Sequence, residues 1–229
     1  TPWWACGRRS RTMIAGVTVE VGAEAVVVVV ARRLRVLSSA VHPGGFAEAR
    51  AILNVHVGKD GSCGDPSRTI DAFARRAAVP GPWVGLLTGA ATERAVIVTE
   101  ATEACAAMAG VTVGLGNPVV AGLSPIARCE ASTINMIVVV DADPEPAALV
   151  NAAMTATEVK GLALRDAGIR TADGLPASGT STDAVAIAAT GRVGHVRYGG
   201  PASPLGWAVA RAVRGALDRG IREWQERHP

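Results

Sequence analysis

The sequence predicts an α+β fold. We read it as a single layered domain over residues 1–229, with a mainly antiparallel or mixed sheet of about eight strands and about three helices. Three observations lead there. Short apolar runs bounded by glycine, proline or polar residues recur through the chain. Only three segments carry helical start and stop signals, and they do not alternate regularly with the strands. Hydrophobic residues make up 49% of the 229 and charged residues 19%, enough apolar material for a large core.

The elements follow in order. RTMIAGVTVEVG alternates apolar and polar residues, AEAVVVVVA follows Gly22, and RLRVLSSA resumes the alternation. The short spacings predict hairpins or a meander, and His56 sits on an apparent strand. Pro66 to Val79 reads as a helix with Asp65 at its N-cap and Pro66 in its first turn, stopped by Pro80, Gly81 and Pro82. WVGLLTG, RAVIVTE, ACAAMAGVTVG and TINMIVVVD read as strands. A second helix opens at Asp143, Pro144 and Pro146 and runs to about Ala167, with Gly168 after it. STDAVAIAATG is another strand. Ser203 and Pro204 open the last helix, whose apolar stripe is Leu205, Val209, Val213, Ala216, Gly220 and Trp224.

Composition excludes several function classes. A formal charge of +3 is too balanced to argue for nucleic acid, and aromatic residues, at 3%, are too scarce for base-stacking platforms. The longest uncharged apolar run, Ala25 to Ala31, suits a buried strand and not a membrane span. Cys6, Cys63, Cys105 and Cys129 form no CxxC pair, so free thiols in a reducing cytoplasm are expected. The four histidines show no HxH or HExxH spacing, and no metal site is expected from them. The opening TPWWACGRRSR lacks the apolar core of a signal peptide, and the missing initiator Met suggests a trimmed chain.

Some local signals point to chemistry. GLGNPV lacks the third glycine of a dinucleotide loop and reads as a turn, with Asn117 able to point into a cleft. Ser38 and Ser39 end a strand, and His42 sits in the glycine loop after it, where sites are commonly built. ASGTSTDA, 177–184, sets four hydroxyls and a carboxylate before an apolar strand. Such a turn can hold an anion or satisfy itself. On a wheel of the second helix with Leu149 at 0°, Ala153, Leu164 and Val150 fall at about 40°, 60° and 100°, and Ala163 and Ala156 at about 320° and 340°. Lys160, at about 20°, lies in that apolar stripe and must snorkel, pair or enter a polar cleft. Glu158, Arg165 and Asn151 lie opposite. Glu158 and Lys160, about 160° apart, should not serve one site together.

VLSSAVHPGG, ILNVHV, GLLTGA, VGLGNPVVAG, STINMIVVVD, AMTATEVKGLALRDAGI, ASGTSTDAVAIA and YGGPASPLGWAVARAV occur in this order. Together, over about Val36 to Val213, they resemble the adenosylcobinamide amidohydrolases, enzymes of corrinoid salvage. The family's usual glycine loop is replaced here by His42-Pro43-Gly44-Gly45. The resemblance implies hydrolysis of the amide joining the aminopropanol linker to the corrin propionate arm, giving adenosylcobyric acid. It implies a small corrinoid as substrate, with no resident cofactor, no nucleic acid and no membrane. Metal dependence and oligomeric state stay open.

Candidate catalytic residues are then Asp183, as base or orienter, with Thr182, Lys160 and Glu158. Candidate substrate-binding residues are Ser38, Ser39, His42, Asn54, Thr88, Asn117, Asn135 and Thr180. Their neutral amides and hydroxyls suit the acetamide and propionamide groups of a corrin rim. A non-catalytic corrinoid-binding module, or an amidase for another small amide, would be the alternatives.

Overall fold

The computed structural model describes residues 8–58, 64–126 and 132–228, with side chains from Thr12 onward. Cys6, Lys59, Cys63 and Cys129 lie outside the described residues. The strands are β1 (Arg8–Arg11), β2 (Val17–Val21), β3 (Ala25–Ser38), β4 (Gly45–His56), β5 (Trp83–Thr88), β6 (Val96–Ala101), β7 (Ala106–Val113), β8 (Pro118–Val119), β9 (Ile134–Asp141), β10 (Asp143–Pro144), β11 (Gly179–Thr180), β12 (Ala184–Ala189) and β13 (His195–Val196). The helices are α1 (Pro66–Arg76), α2 (Pro146–Asp166) and α3 (Pro204–Gln225). An α+β single domain with a mixed sheet is therefore what the chain forms.

Nine strands make one sheet in the order β1-β2-β3-β12-β9-β7-β6, with β4 on the other edge of β3 and β5 beside β4. Two pairs are parallel, β4 with β5 and β12 with β9; the other pairs of this sheet are antiparallel. The 14-residue β3 is the corner. Its first half bonds β2, and the second half of the same edge bonds β12. Its register with β4 shifts between Val29 and Leu34. Such an irregularity bends a strand and lets the sheet fold over itself.

The result is four layers. Ile52, Val84 and Leu86 meet Met108, Ile137, Val139, Ala186 and Ala188 between the two halves of the sheet. Ala51, Leu53 and Val55 turn outward onto Ile70 and Phe73 of α1. Met136, Val138 and Ile187 turn the other way onto Leu149 and Leu164 of α2 and Val209 and Val213 of α3. Strand alternation thus feeds two cores at once, which is why β9 reads as one continuous apolar run. Each large side chain so buried contributes about 1.5–3 kcal/mol.

The first and last helix signals act where the sequence put them, whereas α2 opens only at Pro146, because Asp143 and Pro144 pair with β13 as β10. Asp65 caps α1 by accepting from Ser67 N at 2.9 Å, and Ser203 caps α3 by accepting from Gly206 N at 3.1 Å. Two strand expectations also change. β3 is one strand and not two runs, because the arginines at 32 and 33 lie exposed in the bulged stretch. The apparent strand that holds His56 reaches back to Gly45 as β4, its first half exposed and carried by pairing to β3. No helix among the described residues is long and apolar enough to cross a membrane.

Candidate functional site

The sheet ends in polar residues where β9 and β12 begin. Asp183 directly precedes β12, and its carboxylate accepts four hydrogen bonds. Lys160 Nζ and Thr180 N (3.0 Å) donate to Oδ2; Thr180 Oγ1 and Ile134 N (3.0 Å) donate to Oδ1. Lys160 and Asp183 form an ion pair whose side chains are each 10% exposed. The wheel forced Lys160 inward, and this pair is how the fold compensates the buried ammonium. Gly179 is required here. A Cβ on it would come 2.5 Å from Asp183 Oδ2 and 2.8 Å from Lys160 Nζ.

A hollow of about 730 Å³ opens beside this cluster. Lys160, Glu158 and Arg165 of α2, with Ser178, Gly179 and Thr180 of the turn, are among its walls. The volume is within the usual range for small-molecule sites, about 300–1,000 Å³. Lys160 and Glu158 therefore do border one space, contrary to the wheel argument. Gly161, at about 120° on the wheel, stands between them and has no side chain to divide the hollow. Val150 and Thr157, expected on or beside the buried stripe, are exposed. Glu158 is exposed as its angle predicted.

Asp183 stands behind Thr180 and Lys160 and does not itself line the hollow. With four donors in place, it cannot reach a substrate without giving one up. Thr182 is half-buried, has partners, and is also absent from the hollow's lining. Asn117 Nδ2 donates to Ser181 Oγ at 2.6 Å, so the GLGNP turn braces the GTSTD turn. The β8–β11 ladder, pairing Thr180 with Pro118, ties the same two loops by backbone.

The remaining sequence candidates lie elsewhere. Asn54, Thr88 and Asn135 face the layer between the sheet halves and are 1–2% exposed. Asn135 Nδ2 donates to Asn54 Oδ1 and to Leu87 O, both at 2.8 Å, and Asn54 Nδ2 donates to Thr112 Oγ1 at 2.9 Å. Thr88 Oγ1 accepts from Ala90 N at 3.1 Å. These groups bond one another or nearby backbone and are buried in this structure. They pin β4, β5, β7 and β9 together, directly behind the Asp183 turn, because Asn135 follows Ile134. Ser38 and Ser39 also serve the backbone: Ser38 Oγ accepts from Ala40 N at 2.8 Å, and Ser39 Oγ from Val185 N at 3.0 Å. His42 turns away to α1, with Nε2 3.3 Å from Asp71 Oδ1. Thr112 and Gly179 escaped the sequence reading; the only signal for Gly179 was its place in the hydroxyl-rich turn.

Among the described residues, no three or more His, Cys, Asp or Glu cluster closely enough to hold a metal. The family model of adenosylcobinamide amidohydrolase (CbiZ) matches residues 11–229. The chain belongs to the adenosylcobinamide amidohydrolase family. A relative of that name from Methanosarcina mazei is 32% identical over 145 residues, 63% of this chain and 64% of the relative. Another from Halobacterium salinarum is 35% identical over 144 residues, 58% of each chain. The matched stretch is under two thirds of either relative's length.

Solved structures share the fold. The PH0078 protein from Pyrococcus horikoshii OT3 aligns with a TM-score of 0.51 at 14% identity, covering 90% of this chain and 79% of its own. A Burkholderia sp. beta-aminopeptidase aligns at 0.50 and 15% identity, covering 94% and 88%. At such identity the likeness concerns the fold alone.

Proposed function

We propose that this protein hydrolyses one amide of adenosylcobinamide, the bond between the aminopropanol linker and the propionate arm, releasing adenosylcobyric acid. Family membership over residues 11–229 supports the substrate class. The observation that carries the reading is the buried Lys160–Asp183–Thr180 cluster on the wall of the open hollow. Amide hydrolysis needs an activated oxygen nucleophile, positive charge or N–H donors near the oxyanion, and a proton for the leaving amine. A hydroxyl, a carboxylate and an ammonium within one hydrogen-bonded cluster supply those three kinds of group.

The hollow is too small to enclose a whole corrinoid, so the propionamide arm would enter while the ring stays at the mouth. Glu158 and Arg165 at the rim can meet the amides along the ring edge. The corrinoid enters as substrate, not as a resident cofactor, and we place the reaction in the cytoplasm. The test is incubation with adenosylcobinamide, following free aminopropanol and adenosylcobyric acid by mass spectrometry. Stoichiometric corrinoid binding with no aminopropanol released would replace this reading with a non-catalytic binding module.

A further inference from the structure

We propose that Thr180 is the nucleophile, acting through a covalent acyl-enzyme, with Asp183 as its base. This rests on the reading of the hollow as an amide-hydrolysing site. Three hydroxyl residues line the hollow: Thr157, Ser178 and Thr180. Thr157 Oγ1 donates to Ala153 O at 2.9 Å, and Ser178 Oγ lies 3.4 Å from Val119 O while accepting from Ala121 N. Their protons go to backbone carbonyls, which cannot take them up. Thr180 Oγ1 alone among the three donates to a carboxylate, Asp183 Oδ1. Thr180 is at the same time a wall residue of the hollow.

The rest of the arrangement holds that oxygen still. Thr180 N donates to Asp183 Oδ2 at 3.0 Å, and the residue pairs with Pro118 across the β8–β11 ladder. Its β-branch restricts rotation about χ1. Ile134 N fixes Oδ1 and Lys160 fixes Oδ2, so the base is itself oriented. Nucleophile, base and orienting group in one hydrogen-bonded line is the pattern of an activated hydroxyl. Neither Ser181 nor Thr182 of the same turn lines the hollow.

The chemistry balances without a further reactant. Thr180 Oγ1 attacks the amide carbonyl carbon and passes its proton to Asp183, while Lys160 stabilises the oxyanion. The C–N bond breaks, and the amine leaves with the proton from Asp183. Water then attacks the resulting ester, gives its proton to Asp183, and the C–O bond to Thr180 breaks as the hydroxyl regains that proton. The corrinoid leaves as a carboxylic acid.

Two measurements test this. In the first, Thr180→Ser keeps the hydroxyl and should release aminopropanol within about tenfold of the wild type, whereas Thr180→Val should lose about 10³-fold or more. Thr190→Val, which removes a hydroxyl bonded to Asp141 at the far end of β12, should leave turnover unchanged. Thr180→Val turning over within tenfold of the wild type overturns the proposal. In the second, the folded wild type is treated with p-nitrophenyl acetate and digested. Acetyl should be found on Thr180, and Thr180→Val should lack it. Acetylation elsewhere but not at Thr180 also overturns the proposal. This probe needs no corrinoid: a wild type that acetylates at Thr180 yet releases no aminopropanol refutes the substrate and keeps the nucleophile.

Discussion

Replacing Lys160 by Met tests whether the buried ion pair is structural as well as chemical. Both side chains are 10% exposed, so solvent screening does little to soften the loss. Removing one partner of a buried pair costs about 3–5 kcal/mol, because the other charge is left without its counter-ion. In Lys160→Met the carboxylate keeps three donors, from Thr180 N, Thr180 Oγ1 and Ile134 N, which offset part of the cost. We expect about 3 kcal/mol for this variant. Asp183→Asn removes the counter-charge of the ammonium and turns an NH₂ toward at least one N–H group that can only donate, so we expect about 4–5 kcal/mol. The double variant should cost at least about 1.5 kcal/mol less than the sum of the singles, as coupled neighbours do. Urea unfolding followed by circular dichroism reads all three as midpoint shifts at constant slope. In a chain of this size, 3 kcal/mol corresponds to a Tm drop of about 6–12 °C. A Lys160→Met midpoint equivalent to under about 0.5 kcal/mol would mean the pair behaves as a solvated surface pair, and the packing argument for this site would fall.

Two further predictions concern the surrounding fold. In Gly85→Ala the new Cβ would lie 2.7 Å from Ile70 Cδ1 of α1, and overpacking of this kind should cost about 1–3 kcal/mol; Ile70→Ala in the same chain should recover part of it, read from the same urea curves. Burial pushes the Cys105 thiol up from its ordinary value, with the Thr102 hydrogen bond opposing and Asp141 adding to the rise. The fold therefore favours the neutral thiol, and this group's contribution should turn unfavourable as pH rises past the value of an unfolded cysteine, near 9. Peptide mapping after iodoacetamide at pH 8 should find Cys105 unmodified in the native protein and modified in urea; fast native labelling would contradict its burial.

The sequence carried much of this. The apolar runs, the proline and glycine stops, and the caps at Asp65 and Ser203 are local signals, and local backbone chemistry executes them. Lys160 is the instructive case. A 100° wheel put it in the apolar stripe, where it had to snorkel, pair or enter a polar cleft, but could not say which, since Asp183 lies 23 residues on and reaches it only when β12 enters beside β9. The Asn54–Asn135 contact joins residues 81 apart on strands in facing halves of the sheet. Nothing in the alternation of either strand says which polar residue ends opposite which. The same limit hid that Asn54, Thr88 and Asn135 lie buried between the sheet halves. A strand-end asparagine looks alike in sequence whether it meets a ligand or another asparagine.

What the sequence determined by itself was the kind of layers and the family, because hydrophobic periodicity and ordered motifs are properties of the chain taken a few residues at a time. What only the tertiary structure decided was which hydroxyl meets the carboxylate, and that Glu158 and Lys160 share a hollow despite their angles. Those outcomes depend on the bend in β3, which folds the sheet over, and on the turn after β11, which brings a distant carboxylate beneath α2. Neither is encoded in any single segment.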